Sequence, residues 1–159
     1  MIILGIDPGS TRIGYGAIKK DGNKLTLIEA GLLKIPKASK PEQLMALETE
    51  LQKLLQRIAP ERVGVEKLFF FKNQKTAIEV AQARGVIVNT VAKRGLTPFE
   101  LTPSEIKMAV TGDGQASKQA VARMVGHFVD LNKKKFIDDA TDALAIAIAI
   151  SNRREGVDI

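Results

Sequence analysis

A chain of 159 residues is long enough to bury one hydrophobic core and too short for two ordinary domains. With 45% apolar and 26% charged residues, 13 glycines and 6 prolines, the composition excludes a disordered or fibrous protein. The absence of cysteine excludes a disulfide framework, a thiolate zinc site and a thiol nucleophile and suits a reducing cytoplasm, while a net charge of +6 favours a polyanionic partner.

The N-terminal third reads as strands. Ile2–Asp7 is an apolar strand closed by Pro8-Gly9, Ile13–Lys19 alternates around small glycines, and Lys24–Ile35 follows the turn Asp21-Gly22-Asn23. These three form an antiparallel meander. After a polar linker at 36–41, Leu44, Leu47, Leu51, Leu54, Leu55 and Ile58 recur at helical spacing up to Pro60. A short strand at Arg62–Glu66 follows, then the run Phe69-Phe70-Phe71 and a long helical pattern from about Gln74 to Lys93. Pro98–Leu101 is a fifth strand, and Thr102-Pro103-Ser104-Glu105 carries a helix-start signature leading into Ile106–Val110. One further helix carries Ala120, Val121, Met124, Val125 and Phe128, and the last runs from about Asp138 to Asn152. The order βββαβαβααα predicts an α/β fold with a five-stranded mixed sheet, helices on both faces and the first strand central.

Neither apolar run reads as a membrane or export signal. Met1–Ile6 is stopped by Asp7 and has no basic leader, and Ala143–Ile150 is far shorter than the roughly 20 residues a bilayer span requires. It is expected to be a buried helix. The positive charge is concentrated centrally: 67–135 holds twelve basic and five acidic residues, against twelve and thirteen elsewhere.

Asp7 ends the first strand, Glu66 ends the fourth, and Asp138, Asp139 and Asp142 open the last helix. Ligands of such sheets gather at the carboxyl ends of strands near the switch in strand order, where Asp7 and Glu66 fall. Strand alternation puts Asp7 on one face with Gly5 and Glu66 on one face with Gly64, so an alanine-rich final helix can approach closely over both glycines. On that helix Asp139 and Asp142 point the same way. Like charges held together raise one another's pKa unless a cation neutralises them, and hard oxygen donors favour Mg2+ or Mn2+ over zinc. A pair of such ions suits in-line displacement at a phosphodiester. Taken singly, each acid also fits a structural role, as a turn residue, an N-cap at Asp138, or a first-turn acid favoured by the helix dipole.

Ile6-Asp7-Pro8-Gly9, Glu66 followed by Phe69, and Asp139-Ala140-Thr141-Asp142-Ala143-Leu144-Ala145 together resemble the RuvC family of bacterial Holliday-junction resolvases over nearly the whole chain. The resemblance implies a single RNase H-like (retroviral integrase-type) nuclease domain over residues 1–159, with a short tail from about 153. It also implies a cytoplasmic homodimer that nicks two opposed strands of four-way junction DNA during recombination and repair, partnered by the RuvA–RuvB branch-migration complex. The cofactor would be Mg2+, one or two ions per subunit, with Mn2+ able to substitute. The implied metal-binding and catalytic acids are Asp7, Glu66, Asp139 and Asp142, leaving Asp138 as the cap. Lys107 and Lys118 match lysines that the family uses at the DNA backbone and active site. Lys118 is also poorly placed for the dipole of its helix, which a phosphate partner would explain. Phe69 matches the aromatic that stacks on unpaired junction bases, with Phe70 and Phe71 assigned to core or dimer packing. The helix containing Gly85 would form part of the dimer interface, and His127 would be structural or at the surface.

Three rivals stand beside this reading. Gly5–Thr11 also looks like the phosphate loop of sugar kinases and actin-like proteins, but 159 residues cannot supply their two domains. A RuvX-like nuclease processing ribosomal RNA precursors shares the fold, and a non-catalytic junction-binding scaffold would lack the intact acids.

Overall fold

The computed structural model describes residues 1–9, 12–67, 76–131 and 138–153. Five strands, β1 (Ile2–Pro8), β2 (Ile13–Asp21), β3 (Lys24–Leu32), β4 (Arg62–Glu66) and β5 (Phe99–Leu101), form one mixed sheet in the order β3-β2-β1-β4-β5. The meander β1–β2–β3 is antiparallel, while β4 and β5 add in parallel on the other side of β1. The first strand is therefore central, as the element order predicts. α1 (Lys40–Ile58) and α2 (Ala77–Ala92) cover one face; α3 (Pro103–Thr111), α4 (Lys118–Phe128) and α5 (Asp138–Ile150) cover the other.

Strand alternation divides the core into two layers. Leu4 and Ile6 of β1, Ile13, Tyr15 and Ala17 of β2, and Val63 and Val65 of β4 pack against Leu47, Leu51, Leu54 and Leu55 of α1 and Ile87 and Val91 of α2. Ile3 and Ile18 face the opposite way, against Leu144 to Ile150 of α5 and against α3 and α4. The run Ala143–Ile150 is buried throughout. It is the core helix expected, and no helix among the described residues is long and apolar enough to cross a membrane.

α5 lies on the sheet with its backbone in contact. A Cβ on Gly5 would stand 2.0 Å from the Ala143 carbonyl oxygen, and one on Gly14 would stand 2.1 Å from that of Asp139. One on Gly64 would meet Ile146 Cγ2 at 2.8 Å. The glycines preceding Asp7 and Glu66 are thus the track on which the final helix rests, which places its acidic end over the end of β1.

Several boundaries differ from expectation. β3 stops at Leu32, three residues early, because β2 begins at Ile13 and the Leu33 amide bonding to the Ile13 carbonyl at 2.9 Å is the last available rung. The linker ends sooner, since Ser39 caps α1 through a capping box with Glu42 and admits Pro41 into the first turn. Asp138 lies in the first turn of α5 and is not the expected cap. Gln74 and the three phenylalanines lie outside the described residues.

The far end of α5 is held by polar clamps. Lys20 Nζ donates to the Ser151 carbonyl at 2.8 Å, and Arg62 donates to the Arg153 carbonyl at 2.6 Å. Arg153 donates to Glu105 at 2.9 Å, and Glu105 accepts from the Thr102 amide at 2.7 Å in the capping box of α3. Burial pushes the Glu105 carboxyl up, but the Thr102 amide and the Arg153 guanidinium outweigh it and hold the pKa at about 2. A carboxyl held below its unfolded range stabilises the fold above about pH 4.5, and that contribution fades as pH falls toward 2. Because the Glu105 side chain is 40% exposed, solvent screening reduces its worth. Glu105→Gln is expected to cost about 1 kcal/mol in urea unfolding at pH 7. The gap to the parent should close between pH 4.5 and 2, and a gap that persists there would show that charge is not its source.

Candidate active site

Asp7 and Glu66 are neighbours by register. β1 and β4 run parallel with Ile6 beside Val65, so the next residues of each strand, Asp7 and Glu66, stand about one strand spacing apart, roughly 4.8 Å. Both project to the α5 face, two residues beyond Gly5 and Gly64. Across the other ladder Asp7 pairs with Gly14, and the Asp139 backbone rests on Gly14. Three elements remote in sequence therefore meet at the carboxyl end of β1.

Electrostatics records the same convergence. Burial, followed by the charges of Glu66, Asp142 and Asp139, pushes the Asp7 carboxyl up to about 7, against a smaller opposing pull from Lys118. Asp142 is raised too, by burial first, although the Lys118 ammonium partly offsets this. All four expected acids share one electrostatic environment.

Among the described residues, two cations sit beside them. Lys118 Nζ lies 2.9 Å from Asp142 and 3.7 Å from Asp138, and the Asp142 contact is the main reason its own pKa rises. Ser117 caps α4 by accepting from the Ala120 amide at 3.2 Å, which fixes Lys118 in the first turn and aims it at the acids. Arg12, which no motif had singled out, stands 3.8 Å from Asp139. Its proximity depends on the packing of α5 over β2, for which the sequence around Arg12 carries no signal.

The donor set fits a hard divalent cation. Four carboxylates with no cysteine or histidine beside them suit Mg2+ or Mn2+, and a carboxyl driven up to about 7 by burial and then by its acidic neighbours is one a cation would return to its ionised form. With Asp142 drawn to Lys118 and Asp139 to Arg12, no three acids among the described residues converge tightly enough to ligate one ion. The chemistry of the residues present fits the group.

The acids lie at the open end of the sheet. A cavity of about 210 Å3 is found on the opposite face, lined by Ile13, Ile35, Lys37, Leu44, Leu47 and Ala83, and contains none of them. Lys107 lies on α3 and makes no ion pair among the described residues. Phe69 is outside the described residues. His127 is exposed, with its ring edge-on to Phe128 at 6.3 Å, in keeping with a surface role.

The sequence matches the family model of crossover junction endodeoxyribonuclease RuvC over residues 3–150. The chain belongs to the RuvC family. A crossover junction endodeoxyribonuclease RuvC of Petrotoga mobilis is 44% identical over 155 residues, covering 97% of this chain and 95% of that protein. The RuvC of Halothermothrix orenii is 44% identical, with 96% and 93% covered. Among solved structures, Thermus thermophilus RuvC in complex with a Holliday junction substrate superposes with a TM-score of 0.85 at 31% identity, covering 94% of this chain and 92% of that one. The yeast mitochondrial Holliday junction resolvase shares the fold, at a TM-score of 0.68 and 15% identity. The RNase H-like fold expected from the sequence is the one observed, and membership of the RuvC family sets aside the kinase-like and RuvX-like alternatives. RuvC proteins are metal-dependent nucleases, which agrees with the donor set at the end of β1.

Proposed function

We propose that this chain resolves four-way DNA junctions by hydrolysing a phosphodiester at Asp7, Glu66, Asp139 and Asp142. It is a Holliday-junction resolvase, a hydrolase acting on DNA in recombination and repair. The observation that supports the assignment of the site is the meeting of these four acids at one strand end, where burial and then the charges of Glu66, Asp142 and Asp139 raise Asp7 to about 7.

The cofactor is Mg2+, with Mn2+ as a substitute, at one or two ions per subunit. When bound it supplies Lewis-acid chemistry, activating water and neutralising charge on the phosphate. The chain supplies the rest. Asp7, Glu66, Asp139 and Asp142 would hold the cation, and the close seat of α5 over Gly5 and Gly14 fixes Asp139 and Asp142 relative to Asp7. Lys118, released from Asp142, provides a positive group for a phosphate oxygen, and Lys107 provides another for the DNA backbone. Phe69 follows the catalytic strand and would stack on an unpaired base. In hydrolysis a water oxygen bonds to phosphorus and the bond to one ester oxygen breaks, leaving a nick.

Paired nicking of opposed strands needs two such sites, and a homodimer along α2 supplies them. Ile78 at the start of α2 is 73% exposed, and a Cβ on Gly85 would meet nothing within 4 Å among the described residues, so the outward face of this helix, which also carries Gln82 and Asn89, is open at its small and apolar positions. The RuvA–RuvB complex is the expected branch-migration partner, and the cytoplasm the expected location. One nuclease domain accounts for the chain, with a tail from about 153.

A cleavage assay offering a four-way junction, linear duplex and RNA–DNA hybrid side by side tests this. With Mg2+, symmetric nicks are expected in the junction alone, and chelation should abolish them. Preferential cutting of the hybrid, or binding without cutting, would overturn the reading.

A further inference from the structure

Among the described residues, the one cation at the acid cluster that the proposed function leaves unassigned is Arg12. Its place follows from the first hairpin. Ile13 pairs with Pro8 at the last rung of the β1–β2 ladder, and a Cβ on Gly9 would stand 2.1 Å from the Arg12 carbonyl oxygen, so Gly9 and Arg12 lie against each other at the end of the ladder. By alternation Arg12 shares a face with Gly14, on which the Asp139 backbone rests. The hairpin thereby returns a guanidinium to the acidic end of α5.

The Arg12–Asp139 pair differs in kind from the other arginine pairs. Arg57–Glu29 at 2.7 Å and Arg153–Glu105 at 2.9 Å are hydrogen-bonded, Arg84 stands 2.5 Å from Glu100, and all three pairs tie elements together. Arg12 stands 3.8 Å from Asp139, outside hydrogen-bonding reach, with its side chain 64% exposed. Among the described residues it donates no hydrogen bond, so its planar fork of donors remains unspent beside a carboxylate that the proposed function assigns to a cation. Once Asp139 turns to that cation, Arg12 loses its counter-charge at the edge of the site. A guanidinium in that position matches the geometry of a phosphodiester, which it can grip through two parallel N–H groups.

We infer that Arg12 grips a backbone phosphate of the DNA strand lying across the acids, exchanging Asp139 for that phosphate when the site is loaded. This rests on the proposed function and adds a strand-holding contact to it. Lys118, paired with Asp142 at 2.9 Å, faces the same strand from α4. The two cations would hold the strand from different elements, one on the first hairpin and one on a helix start.

The test compares Arg12→Ala and Arg12→Lys with the parent. Single-turnover cutting of a four-way junction is measured across a Mg2+ titration, and junction affinity is measured against salt by fluorescence anisotropy in the Asp7→Asn background. For Arg12→Ala, the expected result is roughly tenfold slower cutting at saturating Mg2+, and a slope of log affinity on log salt shallower by about one. Arg12→Lys should recover the slope, since it keeps the charge, but only part of the rate, since it lacks the fork. Thermal unfolding should be unchanged in both variants, as the side chain is exposed and makes no tertiary hydrogen bond. If Arg12 is only a counter-charge for Asp139, Arg12→Ala will need less Mg2+ for half-maximal cutting and keep the parental maximal rate and salt slope. That result would overturn the inference while leaving the resolvase reading intact, whereas a parent chain that cuts no junction would remove the reading on which both depend.

Discussion

Asp7→Asn should abolish junction cutting, by about a thousandfold or more, while junction binding survives. Asp7 is the hub of the acid cluster, since burial and then Glu66, Asp142 and Asp139 all act on it. The amide keeps the shape but loses one anionic ligand. The same substitution should stabilise the metal-free protein at neutral and alkaline pH. A carboxyl raised from 3.8 to about 7 is protonated more readily folded than unfolded, so it costs stability progressively as pH rises from about 4 through 7, and the full cost remains above that. Asparagine carries no charge to disfavour. After discounting for the partial exposure of Asp7, the gain is about 2 kcal/mol at pH 8, vanishing below pH 4. Saturating Mg2+ should stabilise the parent more than the variant. Chemical unfolding at pH 4 and pH 8, with and without Mg2+, reads all three effects. Parental cutting by Asp7→Asn would remove the residue from the site, and an unchanged stability at pH 8 would show that burial and the neighbouring acids do not raise Asp7.

Gly5→Ala should unfold or severely loosen the protein, at a cost of about 3–5 kcal/mol. The added methyl would stand 2.0 Å from the Ala143 carbonyl oxygen and 2.7 Å from the Ala147 amide nitrogen, both backbone atoms of a buried helix. Neither can yield by a side-chain rotation, so α5 must lift from the central strand. Lifting it withdraws Asp139 and Asp142 from Asp7 and costs activity as well as stability. Gly126→Ala in α4 is the control, since among the described residues its methyl would meet only Leu131 Cδ1 at 3.8 Å. There the expected change is a gain of about 0.5–1 kcal/mol from better helix propensity. Urea unfolding of the two variants separates a steric cause from a general intolerance of glycine replacement; similar behaviour of both would mean that α5 does not ride on β1 as described.

Much of this arrangement was legible from local pattern. The alternation of apolar residues and glycines in β1 and β4, the leucine spacing of α1, and the Thr102–Glu105 capping signature are each satisfied by neighbours in sequence, so they could be read without the fold. The ends of elements were less secure. Where β3 stops depends on where its partner β2 begins, and Asp138 proved to be a first-turn residue because helix starts depend on the backbone before them. The pairing of Glu105 with Arg153, 48 residues apart, was beyond any local pattern.

By itself the sequence determined which acids stand at strand ends and at a helix start, and that glycines precede two of them, because strand and helix periods are set by local backbone geometry. It also supplied the three motifs in order that mark the RuvC family. Only the tertiary structure decided how near those groups come and which cations lie between them. The contact of Lys118 with Asp142, the long approach of Arg12 to Asp139 and the rise of Asp7 to about 7 all depend on α5 settling onto bare strand backbone. Distances between remote segments are fixed by packing of the whole core, and charge coupling follows distance and burial, neither of which a local stretch of chain specifies.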